Sequence, residues 1–499
     1  MKREDFCLPF FAKGKEMGTL SDCEPKKVFE LFEMLCSVPH GSGNTKQISD
    51  LCVDFAVKHG LEYRQDELNN VVIVKEASAG YENSEPLILQ AHLDMVCAKA
   101  PDCPTDMSAE PVHVRTDGEW VYANGTTLGG DNGIGVALIL AVLDDDTISH
   151  PKIEAVLTVD EETGLEGAYG LNTDLLSSRK MINLDSENDG VLTAGCAGGA
   201  RVDCSIPVCI IPAEKDHLYY TVEAAGLKGG HSGVDIDKGR ANAILLLNRL
   251  FFEISEHIPG TLLCGIEGGE FDNVIAPKAK GTIAVPESCR AEFENVIHVF
   301  ESDIRKEFSA TDPDIAIDVF PTGPRHSLSR ESTRTVTRAL FALPFGVQNM
   351  DPYIRGLVRT SLNIGIIRTR SDSIDYSLFI RSSLDSELTL TINKVKACTE
   401  PYGVRINVRG SYSGWAFAER SAIRETLIKA YEIVNGVRPE ITATHGGLEC
   451  GVFMGKMKDL DCISCGPDLR NVHSPDEKLN IRSTERLWEI LIKALELSK

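Results

Sequence analysis

The 499-residue sequence lacks a membrane-length apolar run, a signal-peptide pattern and a basic stripe. Its longest apolar runs, such as Val136 to Leu143, fall far short of the ~20 residues that a membrane helix needs. The first residues, MKREDFCLPFFAKGKEMG, have neither the long apolar core nor the cleavage site of an export signal. The net charge of -23 repels phosphate backbones. We therefore expect a cytoplasmic protein with no membrane or nucleic-acid partner.

Disulfide-rich scaffolds are also excluded, because the 15 cysteines are spread thinly over a long chain. We interpret them as reduced thiols. Cys462 and Cys465 have the CxxC spacing of a redox or metal site, but they stand in the apolar, strand-like stretch DCISCG without a second such pair. Buried structural cysteines are the simpler interpretation of this pair.

The chain is too long for one hydrophobic core, since cores stop growing near roughly 250 to 300 residues. Helix-like and apolar strand-like segments alternate over residues 1–195, which predicts an α/β domain with a mostly parallel central sheet. The pattern then changes to alternating strands and long helices, which predicts an inserted α+β domain at residues 196–404. The α/β pattern returns afterwards, so residues 405–499 are predicted to complete the first domain.

The first chemically active pair is in LQAHLDM, where His92 and Asp94 end an apolar strand. Residues two apart on a strand point to the same face. A metal-bound imidazole usually passes its second ring nitrogen to a carboxylate, and Asp94 suits that role. A chance pair at a strand end is the alternative.

Carboxylates close two further apolar strands, in TVDEETGLEG and MINLDSE. Glu161 and Glu162 are adjacent, and neighbouring buried carboxylates repel each other unless a cation or a proton-transfer task compensates. Asp185 follows the other strand, at the edge where α/β sheets place their ligand sites. A solvated acidic turn is the alternative for the glutamates.

Further candidates stand in glycine-rich turns and loops. Asp131, in GGDNGIG, precedes a strong helix, so it either caps that helix or bridges two cations. His231 in GLKGGHSG, His445 in HGGLECG and His473 in HSPDE are either exposed loop residues or site residues. Together with the strand-end residues, they supply the oxygen and imidazole ligands that zinc or manganese accepts.

As an ordered set, these segments resemble the M20 metallopeptidase family. The motifs are HLDM, GTTLGGDNGIG, EETG, LDSE, AGCAGG, GLKGGHSG, HGGLECG and HSPDE, and they span nearly the whole chain. The resemblance is strongest to the aminoacyl-histidine dipeptidase branch, which is of the peptidase D or carnosinase-like type and forms subfamily C of the family. It implies a zinc-peptidase-like α/β catalytic domain with an inserted α+β lid domain.

The resemblance implies two divalent metal ions per chain, zinc by default, with manganese and cobalt as alternatives. Asp131 would bridge the two ions. His92 and Asp185 would complete one position, and Glu162 and His473 the other. Two cations about 3.5 to 4 Å apart would lower the pKa of a water and polarise a carbonyl.

The resemblance also implies catalytic roles for three residues. Asp94 would orient His92, Glu161 would be the general base, and His231 on the lid would stabilise the oxyanion by hydrogen bonding. The implied substrate-binding residues are Asn273, Arg381 and His445.

The expected reaction is the hydrolysis of dipeptides or very short peptides, of the Xaa-His kind including β-Ala-His. Two departures from the family pattern, Arg359 and Ser413, leave the preference for histidine open. One alternative is an M20-type aminoacylase or tripeptidase, and a second is a non-catalytic peptide- or metal-binding protein. A homodimer is compatible with the resemblance, and the residues leave the oligomeric state open.

Overall fold

The computed structural model of the chain describes residues 18–499, so the N-terminal stretch searched for an export signal lies outside the described residues. The described chain forms two compact units. The first contains residues 18–194, 418–442 and 452–499, and the second contains residues 195–417 and 443–451. The three segments predicted from the sequence, 1–195, 196–404 and 405–499, stay a prediction about folding domains.

The described residues form helices and strands throughout. The α-helices are α1 (Lys26–Cys36), α2 (Lys46–Lys58), α3 (Gly130–Asp144), α4 (Glu166–Gly170), α5 (Ala243–His257), α6 (Arg290–Glu307), α7 (Arg330–Phe341), α8 (Asp385–Thr399), α9 (Ala422–Asn435), α10 (Glu449–Lys456) and α11 (Ile481–Leu497). The strands are β1 (Glu62–Gln65), β2 (Val71–Lys75), β3 (Leu87–His92), β4 (Val114–Thr116), β5 (Trp120–Ala123), β6 (Ile153–Thr158), β7 (Lys180–Asn183), β8 (Val191–Cys196), β9 (Gly198–Pro207), β10 (Ile210–Ile211), β11 (His217–Ala225), β12 (Gly230–His231), β13 (Leu262–Gly268), β14 (Val274–Ile275), β15 (Ala279–Pro286), β16 (Ala316–Thr322), β17 (Ser327–Leu328), β18 (Gly346–Met350), β19 (Val358–Thr369), β20 (Ser373–Ser382), β21 (Arg405–Tyr412), β22 (Glu440–Thr444), β23 (Asp461–Ser464), β24 (Leu469–Arg470) and β25 (Lys478–Asn480).

An eight-stranded mixed sheet forms the centre of the first unit, in the order β1-β2-β6-β3-β7-β23-β8-β22. Its four central strands, β6, β3, β7 and β23, run parallel, whereas β1 and β2 on one side and β8 on the other pair antiparallel. Helices accompany these strands. The predicted α/β class with a parallel sheet centre is therefore confirmed.

Burial explains why the central strands are apolar along their whole length. Every residue of β3 and β6 is buried, and α3 is buried from Ile134 to Leu143. A parallel strand covered on both faces has no reason to alternate between apolar and polar residues. Because the carboxyl ends of parallel strands meet at one edge, the residues that follow β3, β6 and β7 lie close together.

A second, antiparallel sheet forms the centre of the second unit. Its order is β16-β11-β15-β13-β19-β20-β9-β21, and β18 pairs with β19. Strand β9 pairs with β20 over ten residues, from Gly198 to Pro207, and its other side pairs with β21. Helix α5 buries an apolar face that includes Leu247, Phe251 and Ile254 in the core of this unit.

The stretch DCISCG, which its apolar residues predict to be strand-like, contains β23. Cys462 and Cys465 are both buried in the core at β23, and burial raises the pKa of Cys465 to about 12. This environment suits a structural thiol and not a reactive one. Within residues 18–499, no helix has the length and apolarity needed to cross a membrane.

Candidate active site

His92 lies at the end of β3 and faces two carboxylates. Its Nε2 atom is 3.2 Å from Oδ1 of Asp131 and 3.2 Å from Oδ1 of Asp185. The imidazole is almost completely buried. We call these three residues the His92 set, and their ligand atoms lie within 4.8 Å of one another.

His473 faces the other oxygen of the same aspartate. Its Nε2 atom is 3.2 Å from Oδ2 of Asp131 and 2.9 Å from Oε1 of Glu162. We call His473, Asp131 and Glu162 the His473 set; their ligand atoms also lie within 4.8 Å of one another. Asp131 therefore belongs to both sets, with one carboxylate oxygen towards each imidazole.

The side-chain contacts of Asp131 differ from those of an ordinary helix cap. Asp131 has ψ 104 and Asn132 has φ -115, so the regular turns of α3 begin only after Asn132. The carboxylate has His92 and His473 as hydrogen-bond partners. Of the two interpretations of GGDNGIG, the shared carboxylate is the one whose geometry is present.

The ligand atoms of the two sets are of the kinds that bind divalent cations. Oε1 of Glu162 is buried, and no described residue gives it a hydrogen bond even though His473 Nε2 is only 2.9 Å away. The two atoms are close but not aligned as donor and acceptor, which suits two ligands that face a common third position. Imidazole nitrogen with carboxylate oxygen is a donor set that zinc accepts.

The charges of the cluster also favour bound positive charge. Burial alone would lower the pKa of His92, but the carboxylates of Asp185 and Asp131 hold that pKa well above its ordinary value. The carboxylate of Asp131, followed by that of Glu162, raises the pKa of His473 to about 11. Burial raises the pKa of Asp185 to about 6. The surplus of negative charge therefore attracts positive charge, as protons on the imidazoles or as metal ions.

Asp94 supports the neighbouring turn more directly than it supports His92. Its carboxylate accepts the backbone N–H groups of Glu161 at 3.1 Å and Glu162 at 3.4 Å, and the hydroxyl of Ser42 at 2.7 Å. The nearest contact of His92 Nδ1 is the backbone oxygen of Asp94, at 3.0 Å, whereas the Asp94 carboxylate is 3.5 Å away. Asp94 therefore holds the turn that carries both glutamates.

Glu161 also lies at this edge of the sheet. One of its carboxylate oxygens is within 4.8 Å of ligand atoms of His92 and Glu162. The structure thus brings together seven residues that the sequence analysis selected in the first unit: His92, Asp94, Asp131, Glu161, Glu162, Asp185 and His473.

Two further residues of this unit were not selected from the sequence. Ser42 donates to Asp94, and the buried Glu477 accepts backbone N–H groups of the loop before Asp131. Glu477 stands four residues after His473 in HSPDE, so its motif was a signal. Ser42 lies far from its partner in the sequence and had no local signal.

The remaining predicted residues lie in the second unit. Nη2 of Arg381 is 3.3 Å from Nε2 of His231, and Nε2 of His445 is 2.7 Å from the hydroxyl of Ser361. Asn273 is next to this group, because its backbone oxygen accepts the N–H of Ser232 and it precedes Val274, which pairs with His231. We call His231, Arg381 and His445 the donor cluster.

The hydrogen bonds of His231 assign its proton. Nδ1 accepts the backbone N–H groups of Gly233 at 3.3 Å and Val234 at 3.2 Å. Burial, followed by the charge of Arg381, lowers the pKa of His231, so the ring is neutral and its single proton is on Nε2. Nε2–H of His231 and the guanidinium of Arg381 are then two donors that face each other. Two donors in this arrangement suit an anionic oxygen that both can bind.

Arg381 and His445, the other members of the donor cluster, also have atoms without a hydrogen-bond partner among the described residues. These atoms, Nε of Arg381 and Nδ1 of His445, are both buried. Burial, followed by the charge of Arg381, lowers the pKa of His445 to about 3, so this ring is neutral at pH 7. Orphaned buried polar atoms of this kind are typical of binding sites.

Comparison with known proteins places this geometry in a family. Residues 88–497 match the profile of Peptidase family M20/M25/M40. The chain belongs to this family. The match includes all of the residues selected above, from His92 to His473.

Two members of the family are similar over nearly their whole length. The chain is 34% identical to the cytosol non-specific dipeptidase of Escherichia coli (strain K12) over 483 residues, which cover 96% of this chain and 99% of that protein. It is also 34% identical to the aminoacylhistidine dipeptidase of Vibrio alginolyticus, with a TM-score of 0.90 and coverage of 96% and 98%. The chain is therefore a metallopeptidase of the aminoacylhistidine dipeptidase type.

A more distant M20 fold is that of aminopeptidase PepT from Bacillus cereus. It superposes with a TM-score of 0.62 at 16% identity, over 95% of this chain and 99% of that one. At this identity the likeness extends to the fold alone.

The two departures from the M20 pattern have partners on the same helix. Arg359 donates to Glu387 through Nη2 at 2.5 Å and Nε at 3.2 Å. Ser413 donates to Asp385 at 3.0 Å. Both acceptors stand in the first turn of α8, so these residues stabilise that end of the helix within the second unit.

Adding zinc or manganese to metal-stripped protein is expected to raise the melting temperature by several degrees. A ligand at about 1,000 times its dissociation constant stabilises the folded state by about 4 kcal/mol. Asp131→Asn is expected to lose most of this increase, because the substitution removes a carboxylate oxygen from both sets. Scanning fluorimetry measures the shift.

Asp102→Asn, which changes an exposed carboxylate of the first unit, is the matched control and should keep the full metal-induced shift. An undiminished shift in Asp131→Asn would contradict the assignment of this carboxylate to both sets.

Proposed function

We propose that this chain hydrolyses the peptide bond of dipeptides or very short peptides, including Xaa-His and β-Ala-His substrates, with two divalent cations. The observation that carries the proposal is the shared Asp131, whose two oxygens face the imidazoles of His92 and His473. The names of the two similar proteins, both dipeptidases, support the substrate class.

The His92 set and the His473 set would hold the cations in two adjoining positions. Asp131 would serve both positions, with His92 and Asp185 completing one and Glu162 and His473 completing the other. Zinc is the expected metal, with manganese and cobalt as alternatives. Cations bound there polarise a peptide carbonyl and make water more acidic.

Glu161 is the proposed general base. Its backbone is fixed by the Asp94 carboxylate, and its own carboxylate lies near His92 and Glu162. Glu161 accepts a proton from the attacking water as the oxygen bonds to the carbonyl carbon. It then gives the proton to the amide nitrogen as the C–N bond breaks, which leaves a free acid and a free amine.

The donor cluster of the second unit is proposed to hold the anionic oxygens of the substrate. Arg381 and Asn273 bind the terminal carboxylate, and His231 donates Nε2–H to the oxyanion of the tetrahedral intermediate. His445 is neutral and fixed by Ser361, so it contacts the substrate as a hydrogen-bonding group without charge.

We further infer a cytoplasmic location, which the name of the Escherichia coli relative supports. The partner is a short peptide, and the acidic composition argues against nucleic acid. A homodimer remains compatible with the family resemblance.

Metal-stripped protein is expected to regain hydrolysis of β-Ala-His, Gly-His and Leu-Gly when zinc or manganese is added, with the His-containing peptides cleaved fastest. Glu161→Gln should bind metal normally but cleave about 10²- to 10⁴-fold more slowly, since it removes the general base. Release of free amino acids, measured by chromatography, follows the reaction.

Glu166→Gln changes an exposed glutamate in the same TVDEETGLEG stretch and should retain the parent rate. Failure of the parent protein to cleave any dipeptide with two metals bound would refute the proposal. It would then favour acylated amino acids or a binding protein.

Arg381→Lys is expected to raise KM roughly 10- to 100-fold for dipeptides with a free carboxylate, because a charged hydrogen bond contributes about 1.5 to 3 kcal/mol. The same substrates with an amidated C-terminus should show little change between parent and variant. Steady-state kinetics on both substrate forms measures the difference. Arg409→Lys, on strand β21 of the same sheet, is the control, since Arg409 pairs with Asp203 at the surface. Equal losses on both substrate forms would count against carboxylate binding by Arg381.

A further inference from the structure

One short hairpin of the first unit contains both His473 and Glu477. Strands β24 and β25 form the hairpin through the pairs Leu469–Leu479 and Arg470–Lys478. Its loop is held internally by Ser474, whose hydroxyl donates to the backbone oxygen of Asn471 at 2.7 Å and whose backbone oxygen accepts the N–H of Glu477 at 3.1 Å. The positions of His473 and Glu477 are thereby linked.

The hairpin joins the chain segment that leads to Asp131. Strand β25 pairs with β5 through Leu479–Val121 and its neighbours, in a small sheet of order β24-β25-β5-β4. Strand β5 ends at Ala123, and the loop after it reaches Asp131 seven residues beyond its start. The small sheet therefore brings the His473 hairpin and the Asp131 loop side by side.

Glu477 makes the contact between the hairpin and the loop. It is only 2% exposed. Its Oε2 accepts the N–H groups of Leu128 at 2.8 Å and Gly129 at 3.1 Å, and its Oε1 accepts the N–H of Asp131 at 3.2 Å. Three backbone donors on one buried carboxylate fix the loop more firmly than single neutral hydrogen bonds would.

The glycines of GGD are explained by this contact. Gly129 has φ 73, a conformation that side chains rarely adopt. A Cβ atom on Gly130 would lie 2.7 Å from the side chain of Leu469 and 3.2 Å from Oε1 of Glu477. Gly130 thus leaves room for the loop to approach the carboxylate, and Gly129 permits the backbone conformation that the loop adopts.

We propose that Glu477 is a positioning residue that holds Asp131 and His473 in register, so that the two cation positions form together. This inference rests on the proposed two-cation function. Because Asp131 is shared, a displaced loop would disturb the His92 set and the His473 set at once. Partners of metal ligands commonly change metal affinity by about 10- to 100-fold when they are altered.

The test compares Glu477→Gln with Glu154→Gln in the full-length protein. Glu154 is the matched control, since it is also buried and accepts the backbone N–H groups of Ser177 and Ser178. Glu154 lies at the start of β6, away from the sheet edge where the ligands lie. Urea unfolding measures stability, chelator competition measures zinc affinity, and the absorption spectrum of bound Co²⁺ reports ligand geometry.

Both variants are expected to lose stability, but only Glu477→Gln should bind zinc about 10- to 100-fold more weakly and change the Co²⁺ spectrum. Glu477→Asp, which keeps the carboxylate on a shorter side chain, should recover part of the affinity and serves as the readout if Glu477→Gln does not fold. If Glu477→Gln folds, zinc affinity and a Co²⁺ spectrum equal to those of Glu154→Gln would overturn the proposal. If Glu477→Gln does not fold, zinc affinity and a Co²⁺ spectrum of Glu477→Asp equal to those of the parent would overturn it.

The readouts separate this inference from the proposed function. A parent protein that binds two zinc ions but cleaves no peptide would refute the dipeptidase proposal, and the Glu477 comparison would still give its answer. A parent protein that binds no cation would overturn both.

Discussion

The repulsion between carboxylates buried at one sheet edge is the constraint on which the first unit depends. Asp131, Glu162 and Asp185 face two imidazoles within a few ångströms, and their side chains are only 15%, 8% and 6% exposed. Such a cluster is costly unless positive charge offsets it. The parallel strands bring the groups together, and the proposed cations would offset their charge.

Much of this arrangement could be predicted from local sequence patterns. His92 and Asp185 follow apolar strands, and parallel strands end at a common edge, so their proximity follows from periodicity. The position of Asp131 between two imidazoles could not be predicted in this way, because an aspartate before a helix is usually a cap. One of the two imidazoles is that of His473, which is 342 residues away in the chain and meets Asp131 only in the folded protein.

The supporting contacts were the least predictable. Asp94 was expected to orient His92, and that role stays a prediction; its carboxylate also accepts the backbone N–H groups of Glu161 and Glu162, which the sequence did not indicate. Glu477 likewise acts on backbone groups of a distant loop. Contacts between a side chain and a remote main chain leave no periodicity in the sequence, whereas those between an apolar face and a core do. In the second unit, the facing donors of His231 and Arg381 depend on a tautomer that only the folded contacts assign.

The proposed function requires one carboxylate, that of Asp131, to serve two cation positions. The most direct test is an anomalous difference map from crystals of zinc-loaded protein, recorded on both sides of the zinc absorption edge. Two peaks are predicted, each about 2.0 to 2.2 Å from a different oxygen of Asp131, with His92 beside one and His473 beside the other. A single peak, or two peaks that do not contact Asp131, would contradict the account.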